Sequence, residues 1–500
     1  MPNESDQPER PAVTAGAKTP AFLTIFPSIM LPMFLAIVDQ TIVSTALPAI
    51  AAATGEVERA SWIVVSYLIA TTIAAPIYGR LGDSFGRRKV MFYALSIFMV
   101  ASVLCAMAPT IEWLSLARIL QGLGGGGLMT LSQALVGETI PPRERARYQG
   151  YLATVAVSAN TFGPIAGGFL TEHFGWQSIF LVNLPIGMVA MYLTTKLPDS
   201  KLERLPWRAD PGGLIYFTTF VATTLFALEQ VQHVELASLP VGGALLIIGI
   251  IALVLLVRHE NRTPAPLLPL KLLRMPSIWR SDALAACHGA ALVALVTFLP
   301  VYLQVVRGFT PSETGLLLVP LTVGIGVGSL VTGRLVSTTG LTTLFPMVGL
   351  AICTANFVVL AVLASQLGTI GLGVLLLILG LFMGTVMGVV QVSVQIVAGQ
   401  QRLGEAAASV QFSRSIGAAF GTAMVATVLF GTLALRNPDA AAVFAAMVEH
   451  TKDAGSTLSA AQRSIIAGDI ASAFQAAFLV IAAFTGIGFF LALTNPLKRI

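Results

Sequence analysis

Runs of about 20 apolar residues recur along the whole chain and are separated by short polar segments. A helix of that length crosses the hydrocarbon core of a bilayer, where every backbone polar group must be paired within the helix. A membrane β-barrel would show short segments of alternating polarity instead. Only 11% of the 500 residues are charged, against about 25% in soluble domains. The sequence therefore predicts an all-α polytopic membrane protein, embedded in the lipid bilayer.

The apolar runs predict about fourteen membrane spans, so that both chain ends lie on the same side. Of the 29 Lys and Arg residues, this topology places five on the side of the membrane opposite the chain ends, and Arg118 and Arg414 in or near the membrane. The other basic residues lie on the side of the chain ends, and this excess indicates that the side is cytoplasmic. We therefore expect a multi-pass protein of the cytoplasmic (inner) membrane with both termini cytoplasmic. The predicted spans are residues 22–48, 61–78, 90–108, 113–138, 149–170, 178–196, 211–230, 239–257, 280–306, 313–333, 342–364, 369–398, 409–432 and 472–494.

A charged, glycine-containing stretch lies between the second and third predicted spans. Its charges exclude it from hydrocarbon, its glycines permit a sharp reversal, and its basic residues indicate the cytoplasmic side. The sequence therefore predicts a tight loop there. The stretch resembles the signature loop of major facilitator superfamily transporters in the spacing Gly79-x-Leu81-x-Asp83-x-x-Gly86-Arg87-Arg88-Lys89.

This resemblance implies a major facilitator fold of two six-helix bundles related by an axis along the membrane normal. Fourteen spans resemble the drug:proton antiporter branch of the family, in which two extra helices join the bundles. A weaker copy of the signature, Gly333-Arg334-Leu335 and Gly340, follows the tenth span. The expected organisation is a disordered cytoplasmic tail without a cleavable signal peptide (1–20), a first bundle (21–200), an inserted helix pair (201–260), a cytoplasmic linker (261–278) and a second bundle (279–500).

Two charged residues fall inside predicted spans, Asp39 in the first and Arg118 in the fourth. Hydrocarbon disfavours an ionised carboxylate unless a cation is near, and an Arg there stays charged and needs a partner. The alternative is a structural ion pair or an anchor at the interface. Both surroundings resemble antiporter motifs, which implies that Asp39 and Arg118 couple proton movement to transport. The matching stretches are Asp39-x-Thr41-Ile42-Val43 and Arg118-x-x-Gln121-Gly122.

The fifth span contains a glycine pattern with a proline. Gly163 and Gly167 are four residues apart and form a face for close helix packing, while Pro164 removes a backbone hydrogen bond and bends a helix. Ordinary packing explains such glycines too. The pattern Gly163-Pro164-x-x-Gly167-Gly168 resembles the antiporter motif of the superfamily, which favours export over uptake.

Asp83 is a candidate for a conformational latch. The positive end of the thirteenth span and Arg414 near its start would attract this carboxylate, and breaking the contact would accompany inward opening. The alternative for Arg414 is an anchor at the level of the lipid headgroups. The predicted latch residues are Gly79, Asp83, Gly86, Arg87, Arg88 and Arg414.

Several polar side chains in apolar spans are candidates for lining a substrate cavity, although hydrogen bonds between helices explain them equally well. His288 and Asp282 lie in the inner part of the ninth span, where a single His is more often structural. The candidate cavity residues are Gln121, Asn160, Tyr302, Gln304, Gln391 and Gln395.

Residues 433–470 form the longest predicted external segment. It is expected to be a folded surface hairpin or, alternatively, a docking site for a periplasmic or envelope partner. Cys105, Cys287 and Cys353 are far apart inside apolar runs, which argues against a disulfide framework or a metal site. The chain lacks a Gly-x-x-x-x-Gly-Lys-Ser/Thr stretch, so ATP is not expected as the energy source. No cofactor is expected. The net charge of +5 fits basic loops at an anionic leaflet rather than a nucleic-acid partner.

Together these features predict a proton-coupled exporter of amphipathic small molecules, with no enzymatic activity. Two alternatives remain open at this point. One is the same fold exporting an endogenous lipid, siderophore or metabolite. The other is a membrane sensor or scaffold without transport, which Asp39 and Arg118 disfavour because a scaffold has no need of costly charges inside the membrane.

Overall fold

The computed structural model describes residues 22–55, 59–199, 205–232, 239–264, 266–268, 270–438, 440–441, 443–444 and 460–499. Within these ranges the chain is helical, and the β pairing is one isolated bridge between Leu341 and Arg499. The predicted tail 1–20 and residues 445–459 of the predicted external segment lie outside the described residues. The helices are α1 (Phe22–Thr54), α2 (Ser61–Phe85), α3 (Arg87–Ala106), α4 (Ile111–Thr139), α5 (Pro142–Phe174), α6 (Ser178–Leu181), α7 (Asn183–Thr194), α8 (Pro211–Gln232), α9 (Leu239–Glu260), α10 (Leu270–Leu273), α11 (Pro276–Val305), α12 (Pro311–Thr339), α13 (Leu344–Leu363), α14 (Thr369–Met383), α15 (Met387–Ala398), α16 (Leu403–Arg436) and α17 (Ala460–Thr494).

Eleven spans in the described part of the chain are long and apolar enough to cross a membrane, counting α14 and α15 as one. Helices α4 and α5 have the length but contain more polar residues and glycines. Helices α6 and α7 together form one shorter apolar crossing. The prediction of about fourteen spans in an all-α membrane protein is therefore confirmed.

Three breaks differ from the predicted pattern. The stretch 79–89 is not a loop, because α2 continues to Phe85 and α3 begins at Arg87. Gly86 alone makes the reversal, with a φ of 96° that favours glycine. The charges pair with one another across this break instead of facing hydrocarbon. The sixth span is interrupted at Val182 and the twelfth between Met383 and Met387, where the sequence predicted continuous helices.

The helices pack into two bundles with separate apolar interiors. One buried cluster is drawn from residues 25–197, and we call α1–α7 the first bundle. Another is drawn from residues 291–482, and we call α11–α17 the second bundle. Helices α8 and α9 pack against each other, and α8 also packs on α2 and α16. This arrangement places the inserted pair over the line where α2 and α16 meet, which we call the α2–α16 seam.

The bundles contact each other mainly near one end of the molecule. We call this end the terminal face, because α1 begins there and α17 ends there. Cβ atoms built on Gly150 and Gly333 would lie against the backbone of Ser329 and Ala146 in the other bundle. Both glycines lie within eight residues of the terminal ends of α5 and α12. The structure is therefore closed between the bundles at the terminal face.

Candidate functional site

Asp39 and Arg118 form an ion pair inside the first bundle. Their exposed fractions are 0% and 1%. Arg118 Nη1 donates to Asp39 Oδ2 at 2.5 Å, which joins α4 to α1. A buried pair of this kind stabilises a fold only while both charges are present, since losing one partner leaves an uncompensated charge.

Two amide side chains complete the surroundings of the Asp39 carboxylate. Gln121 Nε2 donates to Asp39 Oδ1 at 2.8 Å, and Asn183 Nδ2 donates to the same oxygen at 2.6 Å. Both amides also donate to Ser102 Oγ, at 2.9 Å and 3.3 Å. We call Asp39, Arg118, Gln121, Asn183 and Ser102 the carboxylate cluster. Four packed elements of the first bundle meet in it, so any change in the charge of Asp39 affects all of them.

Sequence reasoning did not select Asn183 or Ser102 for this cluster. Asn183 is the first residue of α7, directly after the break at Val182 that the apolar pattern did not predict. A signal existed, because Asn183 lies in a stretch, residues 176–187, that resembles the family. Ser102 gave no signal, since a lone serine in an apolar helix is common and usually bonds its own helix, as Ser102 Oγ does by donating to Phe98 O at 2.8 Å.

Arg118 has further contacts that hold it in place. Its Nη1 donates to Gln121 Oε1 at 2.7 Å, and its guanidinium carbon lies 4.0 Å from the centre of the Tyr67 ring. Tyr67 is itself fixed by a hydrogen bond from its hydroxyl to Ala36 O at 3.1 Å. Arg118 therefore keeps an amide and an aromatic face as partners even when the Asp39 charge is absent.

A glycine run on α4 allows this geometry. A Cβ atom built on Gly122 would lie 2.7 Å from Tyr67 O, and one built on Gly124 would lie 2.8 Å from Phe98 N. A side chain larger than hydrogen at these positions would separate α4 from α2 and α3. The run therefore brings the Arg118 side chain within reach of Tyr67 and Asp39.

The predicted antiporter motif packs against the helix that carries Asp39. A Cβ atom on Gly163 would overlap the Thr41 side chain, and one on Gly167 would lie 2.8 Å from Ile42 O. Thr41 Oγ1 also lies 3.4 Å from Ala159 O of α5. Helix α5 continues through Pro164 without a break, and Gly168 faces open space. Asp39 and the glycine motif are therefore linked through α1.

Asp83 of the first bundle caps the first turn of α16 in the second bundle. Asp83 Oδ1 accepts from Gly404 N at 2.9 Å, and Oδ2 accepts from Glu405 N at 3.0 Å. The first turn of a helix has unpaired N–H groups and a positive dipole end, which a carboxylate satisfies. A Cβ atom on Gly79 would lie 2.5 Å from Gly404 O, so α2 and α16 approach closely at this point.

The basic residues of the predicted latch have different partners. Arg87 pairs with Asp83 and, at 2.6 Å, with Glu138 at the end of α4. Arg88 Nη1 donates to Asp199 Oδ1 at 3.0 Å and stays within the first bundle. Arg414 lies ten residues beyond Gly404, about 15 Å along α16. The structure therefore does not bring Arg414 to Asp83, and its Nη2 donates to Gln411 Oε1 at 2.9 Å instead.

The six candidate cavity residues do not meet in one cavity. Gln121 belongs to the carboxylate cluster. Gln395 Nε2 donates to Gln133 O at 2.8 Å, so it joins the two bundles near the terminal face. Tyr302 is buried and stacks edge-on against Phe474 and Phe478, at ring-centre distances of 5.3 Å and 5.4 Å.

The other candidates and His288 lie apart from one another. Asn160 is exposed on α5, Gln304 is half-buried near the end of α11, and Gln391 is buried on α15. His288 is buried, and its Nε2 lies 3.0 Å from Met383 O at the break in the twelfth span. Across the described residues, no group of three or more His, Cys, Asp or Glu side chains is placed to hold a metal ion.

Comparison with known proteins identifies relatives of the whole arrangement. The family model described as "Major Facilitator Superfamily" matches residues 29–422. An uncharacterized MFS-type transporter of Mycobacterium tuberculosis is 32% identical over 80% of this chain, which spans 58% of that relative's length. The multidrug transporter protein MdtP of Bacillus subtilis is 29% identical over 80% of the chain and 74% of its own length. The efflux pump dotC of Dothistroma septosporum is 29% identical over 93% of the chain and 82% of its own length.

Solved structures share the fold at low sequence identity. The human organic anion transporter MFSD10 (TETRAN) superimposes with a TM-score of 0.68 at 15% identity, over 95% of this chain and 100% of its own. The proton:xylose symporter XylE superimposes with a TM-score of 0.63 at 12% identity, over 96% of this chain and 97% of its own. The family model, the relatives and the fold agree, and the chain belongs to the Major Facilitator Superfamily of membrane transporters.

Proposed function

We propose that this protein is a proton-coupled efflux transporter that exports amphipathic small molecules across the cytoplasmic membrane. The observation that carries the proposal is the buried ion pair of Asp39 and Arg118. Two opposite charges are costly to bury, and hydrophobic residues of similar volume commonly replace such a pair without loss of stability. A carboxylate that can gain and lose a proton explains why the charges are present.

Protonation of Asp39 would change the electrostatic attraction between α1 and α4 inside the first bundle. The neutral carboxyl group no longer attracts Arg118 as a charge, while Arg118 keeps Gln121 and the Tyr67 ring. Asp39 also sits on the helix whose Thr41 packs against Gly163 of α5. A small shift of α1 therefore reaches α5, and through α5 the surface that contacts α12 of the other bundle.

The terminal face is assigned to the cytoplasm, because the predicted topology puts most Lys and Arg residues there. The structure then corresponds to the state that is closed toward the cytoplasm. Opening that side requires the Asp83 carboxylate to leave Gly404 N and Glu405 N, and Gln395 to leave Gln133 O. Export follows when proton binding from outside and proton release inside shift the protein between this closed state and the state open to the cytoplasm. The names of MdtP and dotC, a multidrug transporter and an efflux pump, support export over uptake.

The test is proton flux in liposomes that contain the purified protein and carry an imposed pH gradient. Adding amphipathic compounds should produce proton flux in the wild type and none in Asp39→Asn. Asp199→Asn is the matched control, because Asp199 lies on the surface with 88% of its side chain exposed. The double variant Asp39→Asn/Arg118→Gln removes both charges and separates a coupling defect from misfolding.

Four results bear on the proposal in different ways. Absence of substrate-dependent proton flux in the folded wild type contradicts proton-coupled export. Flux retained in Asp39→Asn contradicts the assignment of Asp39 and makes His288 the next residue to examine. Compound binding without any flux supports a sensor, and accumulation of a native compound in a deletion strain supports an endogenous substrate.

A further inference from the structure

A cavity of about 220 Å³ lies beside the α2–α16 seam, close to the terminal face. Asp282 is six residues from the start of α11 and Ser413 is ten residues from the start of α16, or about 9 Å and 15 Å along their helices. The cavity is therefore at the depth of the leaflet on the terminal side. Its walls are formed by Pro76, Leu267, Leu268, Leu273, Trp279, Asp282, Glu405, Ala408, Ser409, Phe412 and Ser413.

Two buried acids line this cavity, and neither is fully paired. Asp282 is 7% exposed, and its Oδ1 accepts from Ser409 Oγ at 3.3 Å. Asp282 Oδ2 has no hydrogen-bond partner among the described residues. Glu405 is 9% exposed, and its Oε2 likewise lacks a hydrogen-bond partner in the described part of the chain, with Arg402 Nε 3.9 Å away.

Such a site has a definite chemical preference. A buried carboxylate oxygen without a partner is costly, and a bound cation removes that cost. Most of the remaining lining is apolar or aromatic, and Trp279 is 44% exposed. The combination suits a positively charged amine attached to an apolar body. A volume of 220 Å³ holds the charged end of such a molecule rather than the whole of it.

The linker contributes Leu267 and Leu268 to the walls, and the inserted helices pack beside them. Phe412 contacts Phe217 of α8 with ring centres 5.3 Å apart. Glu260 Oε1, at the end of α9, accepts from Leu268 N at 3.2 Å and so fixes the linker against the cavity. The linker therefore forms part of the cavity wall, and α8 and α9 pack behind Leu267 and Phe412.

The cavity also adjoins the contact that closes the terminal face. Glu405 contributes its side chain to the cavity and its backbone N–H to Asp83. Arg80 and Asp83 both lie within electrostatic reach of the Glu405 carboxylate. A cation bound here would act on the first turn of α16, which must move when the terminal face opens.

We propose that this cavity is an access site for the cationic head of amphipathic substrates that arrive from the leaflet at the terminal face. Asp282 and Glu405 are its anionic partners, and the linker forms part of its wall. The inference rests on the proposed export function and narrows its substrate class to amphipathic cations. A protonated or quaternary amine on an alkyl or aromatic body has the required chemistry.

The test measures equilibrium binding of radiolabelled dodecyltrimethylammonium to the purified full-length protein, below the micellar concentration of the probe and without a pH gradient. Asp282→Asn and Glu405→Gln should each weaken binding by about tenfold, because each removes a charged partner of the cation. Asp199→Asn, an exposed Asp on the same face, should bind like the wild type. Dodecyl sulfate has the same tail with an anionic head, and it should not compete.

A third variant keeps the test valid if Asp282→Asn fails to fold. Ser413→Trp adds a large side chain to the cavity wall without replacing either acid, and it should also weaken binding. Binding that is unchanged in all three cavity variants, or equal competition by dodecyl sulfate, would overturn the inference. Displacement of the probe by phosphatidylethanolamine would overturn it too, since the ammonium group would then belong to a lipid site.

Failure of the inference and failure of the proposed function are distinguishable. Cation binding that depends on Asp282, in a protein that shows no proton-driven flux, supports the access site and contradicts the export proposal. Proton-driven flux of a cationic amphiphile that is unchanged in Asp282→Asn and Glu405→Gln supports export and contradicts the access site.

Discussion

Each bundle begins with a helix that carries a buried acid, and the two acids have very different surroundings. Asp39 on α1 accepts hydrogen bonds from Arg118, Gln121 and Asn183. Asp282 on α11 accepts a hydrogen bond from Ser409 and faces a cavity. The first acid is fully paired inside one bundle, whereas the second has an oxygen without a hydrogen-bond partner among the described residues.

The difference separates two roles that a carboxylate can have in a transporter. A fully paired carboxylate changes the packing of its own bundle when its charge changes, because several side chains depend on it. A partly paired carboxylate at a cavity changes little in the fold but offers a strong contact to a cation. The comparison supports the two proposals made above, coupling by the first bundle and substrate access in the region between the bundles.

The largest expected effect on stability comes from removing the Arg118 charge from the carboxylate cluster. Arg118→Gln leaves Asp39 buried without its charge partner, which should lower stability by about 3–5 kcal/mol. The double variant Asp39→Asn/Arg118→Gln should recover part of that loss. Thermal unfolding of the purified protein measures both. Equal loss in the single and double variants would show that the two charges do not stabilise each other.

A smaller effect is expected where α1 packs on α5. Gly163→Ala places a methyl group against the Thr41 side chain and should cost about 1–3 kcal/mol. Gly168→Ala is the matched control, because a Cβ atom there meets open space. Unfolding temperature and substrate-dependent proton flux should both fall in the first variant only. Equal behaviour of the two variants would separate the glycine motif from the Asp39 helix.

Weakening the Asp83 contact between the bundles should change the free energy by a similar or smaller amount. Asp83→Asn weakens the cap on α16 by about 1–2 kcal/mol, which would favour opening of the terminal face by roughly 5- to 30-fold. Distances between spin labels placed across the α2–α16 seam at the terminal face report the change. Asp199→Asn should leave the distance distribution unchanged. A distribution that is also unchanged in Asp83→Asn would exclude Asp83 as a latch.

The smallest effect on stability is predicted for Asp282, the acid of the second bundle. Its replacement should stabilise the fold slightly or leave it unchanged, whereas the changes above destabilise it. Asp282→Asn removes a buried charge that has one hydroxyl partner, so the fold should be unaffected or stabilised by about 1 kcal/mol. Thermal unfolding of Asp282→Asn beside Asp39→Asn tests the contrast directly. Similar destabilisation in both variants would show that the two acids have equivalent structural roles.

The sequence by itself determined the membrane architecture and pointed to the charged residues inside it. Hydrocarbon requires long apolar helices and penalises charges, so the spans, Asp39 and Arg118 are visible without a structure. Family-like motifs also indicated Asp83 and the start of α16, which the structure brings together. These features are local in the sequence, and the penalty that makes them visible acts on each segment separately.

The tertiary structure decided which of these side chains meet. It joined Asn183 and Ser102 to Asp39, kept Arg414 away from Asp83, and placed Tyr302 among aromatic rings. It also formed the cavity at Asp282 from four separate parts of the chain. An apolar pattern gives the length of a helix, but a helix that is apolar on most faces does not reveal its rotation or its neighbours. Close packing of the helices fixes both, and that information exists only in three dimensions.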